Sequence, residues 1–225
     1  KGGVKVAVIG QHFPYTPISN PSHLIEGWSF GIRTDEIQKN VDEARSKGAE
    51  VVVLLSHNGF DVDQQLATEI TGIDVVLTGH THDAVPEAIR INNTLILSSG
   101  SHGKYLGRID LKVSGGEVVD ANSTLIPIFS DVIAPDPEIS KLIGELRAPY
   151  EKECRRIIGQ AGALLYRRGN FDGSWDNVIC DAIREQEDVE IALSPGFRWG
   201  TTLLPAQPIT IDDIYTQTSM NYPAV

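Results

Sequence analysis

Apolar residues along the chain fall into short β-branched runs separated by segments of helical spacing. Val4–Ile9, Val51–Leu55 and Ile73–Leu77 are short, mostly apolar runs bounded by polar residues, the first broken only by Lys5 and the third only by Asp74, the pattern of buried strands. Between the second and third lies Asp61–Thr71, with Val62, Leu66, Ala67 and Ile70 at the i, i+4, i+5, i+8 spacing of one helical face. Strand, helix and strand make a βαβ unit with a right-handed crossover. A further helix is expected over Asp35–Lys47, capped by Thr34, acidic at its start and stopped by Gly48.

After His82 the pattern changes. Ala88–Asn92, Thr94–Ser98 and Leu106–Ser114 read as strands, Gly115-Gly116 as a hairpin turn, and Glu117–Ile128 as the returning strand. Successive strands without helices predict an antiparallel sheet layered on the parallel one, so residues 1–134 form an α/β sandwich domain. Asp136-Pro137-Glu138 is a helix start of cap, proline and acid. The helix runs toward Arg156, interrupted by Pro149, which makes residues 135–156 a linker. Residues 157–225 then read as a second α/β segment: a strand over Ile157–Tyr166, a helix opened by Gly173–Asn177, a short strand over Glu190–Leu193 and a last helix from Thr210.

The strand ends carry the chemistry. His57 follows the second strand, and His80 and His82 follow the third. Neighbouring parallel strands would bring both loops to the carboxyl edge of the sheet, where open α/β folds place their ligands. In His80-Thr81-His82 an extended backbone would send both rings to one side. Neutral imidazoles suit zinc, manganese or iron. Three histidines could hold one zinc with an open position, or contribute to two metals with further ligands; the spacing leaves both open. Asp61, Asp63 and Asp83 lie nearby in sequence. The long segment Gln11–Arg33 offers Tyr15, Trp28 and Phe30 as pocket walls, while His12, His23 and His102 lack ligand spacing. In the second segment, Ser194–Gly200 presents Arg198 between Phe197 and Trp199, a guanidinium fork suited to a sulfonate or phosphate. Arg167-Arg168 is expected to be a solvated pair.

Composition narrows the partners. A net charge of −11 argues against nucleic acid and anionic membranes, and no apolar run approaches the roughly 20 residues that span a bilayer. Cys154 and Cys180 fall in predicted helices without metal spacing and are expected to be small buried apolar groups. The chain opens almost directly on a strand and stops at Tyr-Pro-Ala-Val, which is expected of an internal fragment.

Ser56-His57-Asn58-Gly59 followed by Gly79-His80-Thr81-His82 resembles the last two ligand motifs of the calcineurin-like metallophosphoesterases. The linker and Ser99-Gly100 through Arg108 resemble the 5′-nucleotidase branch. Val6–Pro17, Trp28–Arg33, Tyr166–Phe171, Ser194–Leu204 and Gln217–Val225 resemble the SoxB thiosulfohydrolases within it. The resemblance implies the C-terminal part of a four-layer α/β/β/α sandwich, a linker helix and part of a 5′-nucleotidase-like C-terminal α/β domain. It implies two Mn(II) ions, with zinc or iron possible, His57 and His80 on one and His82 on the other. The remaining ligands belong to upstream motifs (Asp-x-His, Gly-Asp-x-x-Asp, Gly-Asn-His-Glu) that this sequence does not contain, so the 225 residues alone are expected to be inactive. It implies hydrolysis of a cysteine-bound thiosulfonate on a SoxYZ-type carrier protein in the periplasm. Sulfate is released and the sulfane sulfur stays on the carrier. Arg198, Phe197 and Trp199 would contact substrate. A nucleotide phosphohydrolase of the same fold and a non-catalytic metal-binding domain are the alternatives.

Overall fold

A computed structural model describes residues 2–167, 172–194 and 202–218. The chain divides into two compact units, Lys1–Ala134 and Pro135–Val225.

The first unit is built on a five-stranded sheet. Its strands are β1 (Val6–Gln11), β2 (Val51–Ser56), β3 (Val75–Thr78), β4 (Ile89–Ile91) and β5 (Thr94–Ser98), in the order β1-β2-β3-β5-β4. β1, β2, β3 and β5 run parallel, and only β4 is antiparallel, paired to β5. Helices α2 (Thr34–Ser46) and α3 (Phe60–Glu69) complete the βαβ crossovers; α1 (Thr16–Ser19) is a single turn. The core lies under these helices, where Ile37 and Val41 of α2 and Leu66 and Ala67 of α3 meet Val52, Leu54, Val76 and Ile96 of the sheet. Apolar burial of this kind is worth roughly 1.5–3 kcal/mol per large side chain.

Two expectations change here. The strand Thr94–Ser98 does not join an antiparallel layer; it lies beside β3 in the parallel sheet. The reason is burial: all five of its residues are buried, as a central strand requires. The separate antiparallel element is the long hairpin of β6 (Tyr105–Ser114) and β7 (Glu117–Pro127), which among the described residues form a two-stranded sheet of their own. Gly115 and Gly116, at φ 63° and 83°, make its turn, the conformation a two-residue type I′ hairpin demands. In α2, Thr34 is inside the helix. The cap position is Arg33, left-handed at φ 61° and without a side-chain cap bond.

At the amino edge of the sheet one guanidinium closes the turns. Arg45 donates to the carbonyls of Gly72, Ala49 and Glu50 and pairs with Asp74 at 2.6 Å. Asp74 in turn accepts from the Val52 N–H.

The second unit contains α4 (Pro137–Arg147), α5 (Glu151–Cys154), β8 (Ile157–Gln160), α6 (Ser174–Glu187), β9 (Pro208–Thr210) and α7 (Ile211–Gln217). Asp136 caps α4 by accepting from the Glu138 and Ile139 N–H groups. The helical run breaks between Arg147 and Glu151, around Pro149. β8 and β9 pair antiparallel. The expected strand over Ile157–Tyr166 stops at Gln160, leaving Leu165 in an isolated bridge with Leu203. Glu190–Leu193 is not a strand: Ile191 and Leu193 are strongly exposed, and β propensity without a paired neighbour does not make one. A small core gathers Ala161, Leu165, Trp175 and Leu203. Both cysteines are unpaired and half-buried. No helix among the described residues is long and apolar enough to cross a membrane.

Arg167 corrects the expectation of a solvated pair. Its side chain is 3% exposed and pairs with Asp176 at 2.7 Å. It also donates to the Gln217 carbonyl at 2.7 Å and to Ser194 Oγ at 3.4 Å. Arg168 lies outside the described residues.

Candidate functional site

β1, β2, β3 and β5 are parallel, so their following loops leave from one edge of the sheet. His57 follows β2 directly, and its N–H donates to the Gln11 carbonyl at the end of β1. His80 follows β3 after Gly79. The two imidazoles meet with centroids 5.2 Å apart and planes at 66°. Gly79 makes the approach feasible, since a Cβ there would lie 3.2 Å from His57 Nδ1. Gly59, at φ 106°, likewise leaves room for Thr81, whose hydroxyl accepts from the Phe60 N–H.

His82 is not drawn into this pair. The His80-Thr81-His82 backbone is not extended: both histidines are left-handed, at φ 79° and 61°. The extended geometry expected for this stretch is therefore absent. His82 instead sits 6.2 Å from His102, ring to ring, at 88°. The described residues hold no group of three or more His, Cys, Asp or Glu side chains placed to hold a metal ion. They do supply a donor pair of the right chemistry. Burial, and next the charge of neighbouring His57, push the pKa of His80 below its ordinary value. Its imidazole is therefore neutral at pH 7, with a lone pair to give.

The aromatic wall is Phe13, which was not among the aromatics singled out from the sequence. It stacks on His80 at 4.0 Å and 27°, and stands edge-on to His57. The signal was available: Phe13 lies just past β1, and β1 runs parallel to β2. Tyr15 packs on Phe13, Phe30 packs on His12, and Trp28 is largely exposed. The long loop is tied to this edge by Gln11, which donates to the Gly31 carbonyl and to Asn58 Oδ1. His23 makes no contact with these rings.

Beneath His57 is a buried polar network that the sequence pattern also missed. Asp63 is fully buried on the first turn of α3. Its Oδ1 accepts from Ser56 Oγ at 2.7 Å and Asn58 Nδ2 at 3.0 Å, and the Asn58 N–H donates to Ser56 Oγ. The residues on both sides of His57 are thus clamped to α3. Asp63 Oδ2 and Thr78 Oγ1 are both buried without a well-formed hydrogen bond. Burial raises the Asp63 pKa, and contacts with Thr78, Ser56 and Asn58 only partly oppose it. With the folded pKa above the unfolded one, this carboxyl contributes stability below the unfolded pKa of about 3.9 and loses it as pH rises through the folded value. Asp63→Asn keeps the Oδ1 acceptor and offers Thr78 a donor. Its melting temperature is expected to match the native protein in acid and exceed it at neutral pH. Asp63→Ala strands two donors and is expected to cost about 1–3 kcal/mol. Urea titrations at two pH values check both; a native-like Asp63→Ala would refute the clamp.

Asp61 and Asp83 are exposed and join no ligand group. Arg198, Phe197 and Trp199 lie outside the described residues. Hollows among the described residues also lie elsewhere. One, of about 390 Å³, is an apolar groove in the second unit between α6 and α7, walled by Trp175, Ile179 and Ile214. Another, of about 650 Å³, is a cleft at the amino edge of the sheet lined by Arg45, Asp74 and Arg90.

Comparison with known proteins places this arrangement. No family model matches the chain. Among curated proteins it is 27% identical to a 5′-nucleotidase of Diplobatis ommata, over 82% of this chain and 35% of that protein. It is 31% identical to an uncharacterised metallophosphoesterase, YunD, of Bacillus subtilis, over 96% of this chain and 46% of that protein. Among solved structures, the sulfate thiohydrolase SoxB of Thermus thermophilus superposes with a TM-score of 0.94 at 36% identity, over 99% of this chain and 41% of that one. A 5′-nucleotidase precursor of the same organism gives 0.81 at 23% identity, over 96% and 47%, a likeness of fold. The chain spans less than half the length of each of these relatives. The two solved structures share the fold whose sheet edge carries the histidine loops, and the chain is similar to the metallophosphoesterases of the 5′-nucleotidase family, with a resemblance to SoxB.

Proposed function

We propose that the full-length protein is a metal-dependent hydrolase of the SoxB type, acting on a cysteine-bound thiosulfonate of a carrier protein. The observation that supports this reading over others is the likeness to SoxB at 36% identity across 99% of the chain.

The reaction adds water across the bond between the sulfane and sulfonate sulfurs. A new S–O bond forms, sulfate leaves, and the proton goes to the sulfane sulfur left on the carrier cysteine. In this reading His57, His80 and His82 hold divalent ions, taken as Mn(II), with ligands from outside this chain. Such ions would supply charge for the sulfonate oxygens and lower the pKa of water. The chain's own residues do the positioning. Phe13 stacks on His80 and shields one face of its ring from water. The low pKa of His80 keeps its lone pair available at neutral pH. The Asp63 network fixes Ser56 and Asn58 on either side of His57. Arg198 supplies a guanidinium fork for the sulfonate, with Phe197 and Trp199 beside it. The carrier is of the SoxYZ type, and the compartment is the periplasm.

A second reading, hydrolysis of nucleoside monophosphates, is favoured by the identity to 5′-nucleotidases. The two separate in one experiment. The full-length protein, loaded with Mn2+, is offered AMP and a peptide carrying a cysteine thiosulfonate. Sulfate release from the peptide is expected; phosphate release without sulfate release would transfer the assignment to the nucleotidases. Absence of both, with metal bound, would leave a metal-binding domain without hydrolase activity.

A further inference from the structure

The loop 99–104 between β5 and β6 carries His102, to which the reading above gives no role. His102 is left-handed at φ 57°, as His80 and His82 are. Three of the seven non-glycine residues at positive φ among the described residues are thus histidines at one edge of one sheet. Each conformation costs on the order of 1 kcal/mol, which the surrounding structure must hold in place.

Here the restraints are visible. The Asp83 carbonyl, next to His82, accepts from Ser98 Oγ at 2.6 Å and from the Gly100 N–H at 2.7 Å. The Val85 N–H donates to the Ser98 carbonyl, and Ala84 and Ser99 form an antiparallel bridge. Gly100, at φ 72°, lets the two segments touch, since a Cβ there would press on Tyr105 at 3.1 Å and Ala84 at 3.4 Å. This stitching sets the exposed His102 ring 6.2 Å from the half-buried His82 ring, at 88°. An imidazole that ligates must be held at one rotation about its Cβ–Cγ bond, and neighbouring groups commonly fix it. His82, like His80, leaves the chain from a left-handed backbone, and His80 is steadied by its Phe13 stack. The ring standing edge-on to His82 is His102.

The geometry points to His102 as a positioning residue: its ring, packed edge-on, sets the rotation of the His82 imidazole for a metal ion. This rests on the metal-hydrolase reading. The test uses the full-length protein and Mn2+ titrations followed by electron paramagnetic resonance, with melting temperature measured alongside. His102→Asn removes the ring while suiting the left-handed backbone. It is expected to weaken one class of Mn2+ site about 10–100-fold, leaving the other class and the melting temperature unchanged. His102→Phe, which keeps an edge-on ring, is expected to restore most of the affinity. Unchanged Mn2+ affinity in His102→Asn would overturn the inference. So would a Phe variant as weak as the Asn one, or a loss at both classes accompanied by a lower melting temperature. If the native protein binds no Mn2+, the metal reading itself fails, an outcome separate from any of these.

Discussion

His80→Ala in the full-length protein is expected to lose bound metal at one site and to lower turnover by more than about a hundredfold. Loss of a group that merely orients a ligand typically costs 10–100-fold in metal affinity or activity, and His80 is read as a ligand itself. Its ring lies 5.2 Å from His57 and stacks on Phe13 at 4.0 Å. Removing it therefore also removes an aromatic contact worth about 0.5–1.5 kcal/mol, so a small fall in melting temperature accompanies the loss. His80→Gly removes the same ring and the same stack, and differs from alanine only at the backbone. Glycine is at ease at φ 79°, so it removes the imidazole and relieves the backbone together. Both variants are expected to lose metal equally, measured by elemental analysis after dialysis. Full metal content and full rate in either variant would end the assignment of His80 as a ligand.

The frame of this edge was legible in the sequence because it depends on local patterns. Val51–Leu55 and Ile73–Leu77 are apolar runs, the second broken only by Asp74, with a helical run between them, and a βαβ unit follows from that alone. The structure pairs β2 with β3 in parallel register and delivers both histidine loops to one edge. Period and composition do not reveal backbone handedness at a single non-glycine residue. An extended His80-Thr81-His82 would have aligned the rings; the backbone is instead left-handed at both histidines. Thr94–Ser98 was misplaced for a related reason. It follows another strand without an intervening helix, and only its complete burial marks it as a member of the parallel sheet. Phe13 acts through partners distant in sequence, and Asp63 through nearby residues that only the turn from β2 into α3 brings to it. Nothing near Asp63 announces that its carboxylate will be buried against Ser56 and Asn58. Within unit 2, Arg167-Arg168 looks like a solvated pair until the fold supplies Asp176.

Asp176→Ala is expected to cost about 3–5 kcal/mol, the range for leaving one partner of a buried ion pair uncompensated. Arg167 is 3% exposed and Asp176 12% exposed. The guanidinium cannot reach water without opening the unit, and it stays charged. Its contacts join three segments: the first turn of α6 through Asp176, the end of α7 through the Gln217 carbonyl, and Ser194. Ser194 is the last described residue before the stretch that holds Phe197, Arg198 and Trp199. The site around Arg167 is tight: a Cβ on Gly173 would lie 2.6 Å from Asp176 Oδ2 and from the Tyr166 carbonyl. Alanine at 176 therefore opens a polar hole that the neighbouring backbone cannot readily close. Hydrogen exchange is expected to accelerate in Ser174–Glu187 and Ile211–Gln217 and to stay unchanged in Val51–Ser56, which belongs to the other unit. Replacing Arg167 with methionine and Asp176 with leucine removes the stranded charge and is expected to recover much of the loss, since buried pairs often exchange for well-packed apolar ones at little cost. If the single variant exchanges like the native protein, the pair is not the tie that holds this unit. If the double variant is no better than Asp176→Ala, the loss comes from the carboxylate's own hydrogen bonds rather than from an orphaned guanidinium.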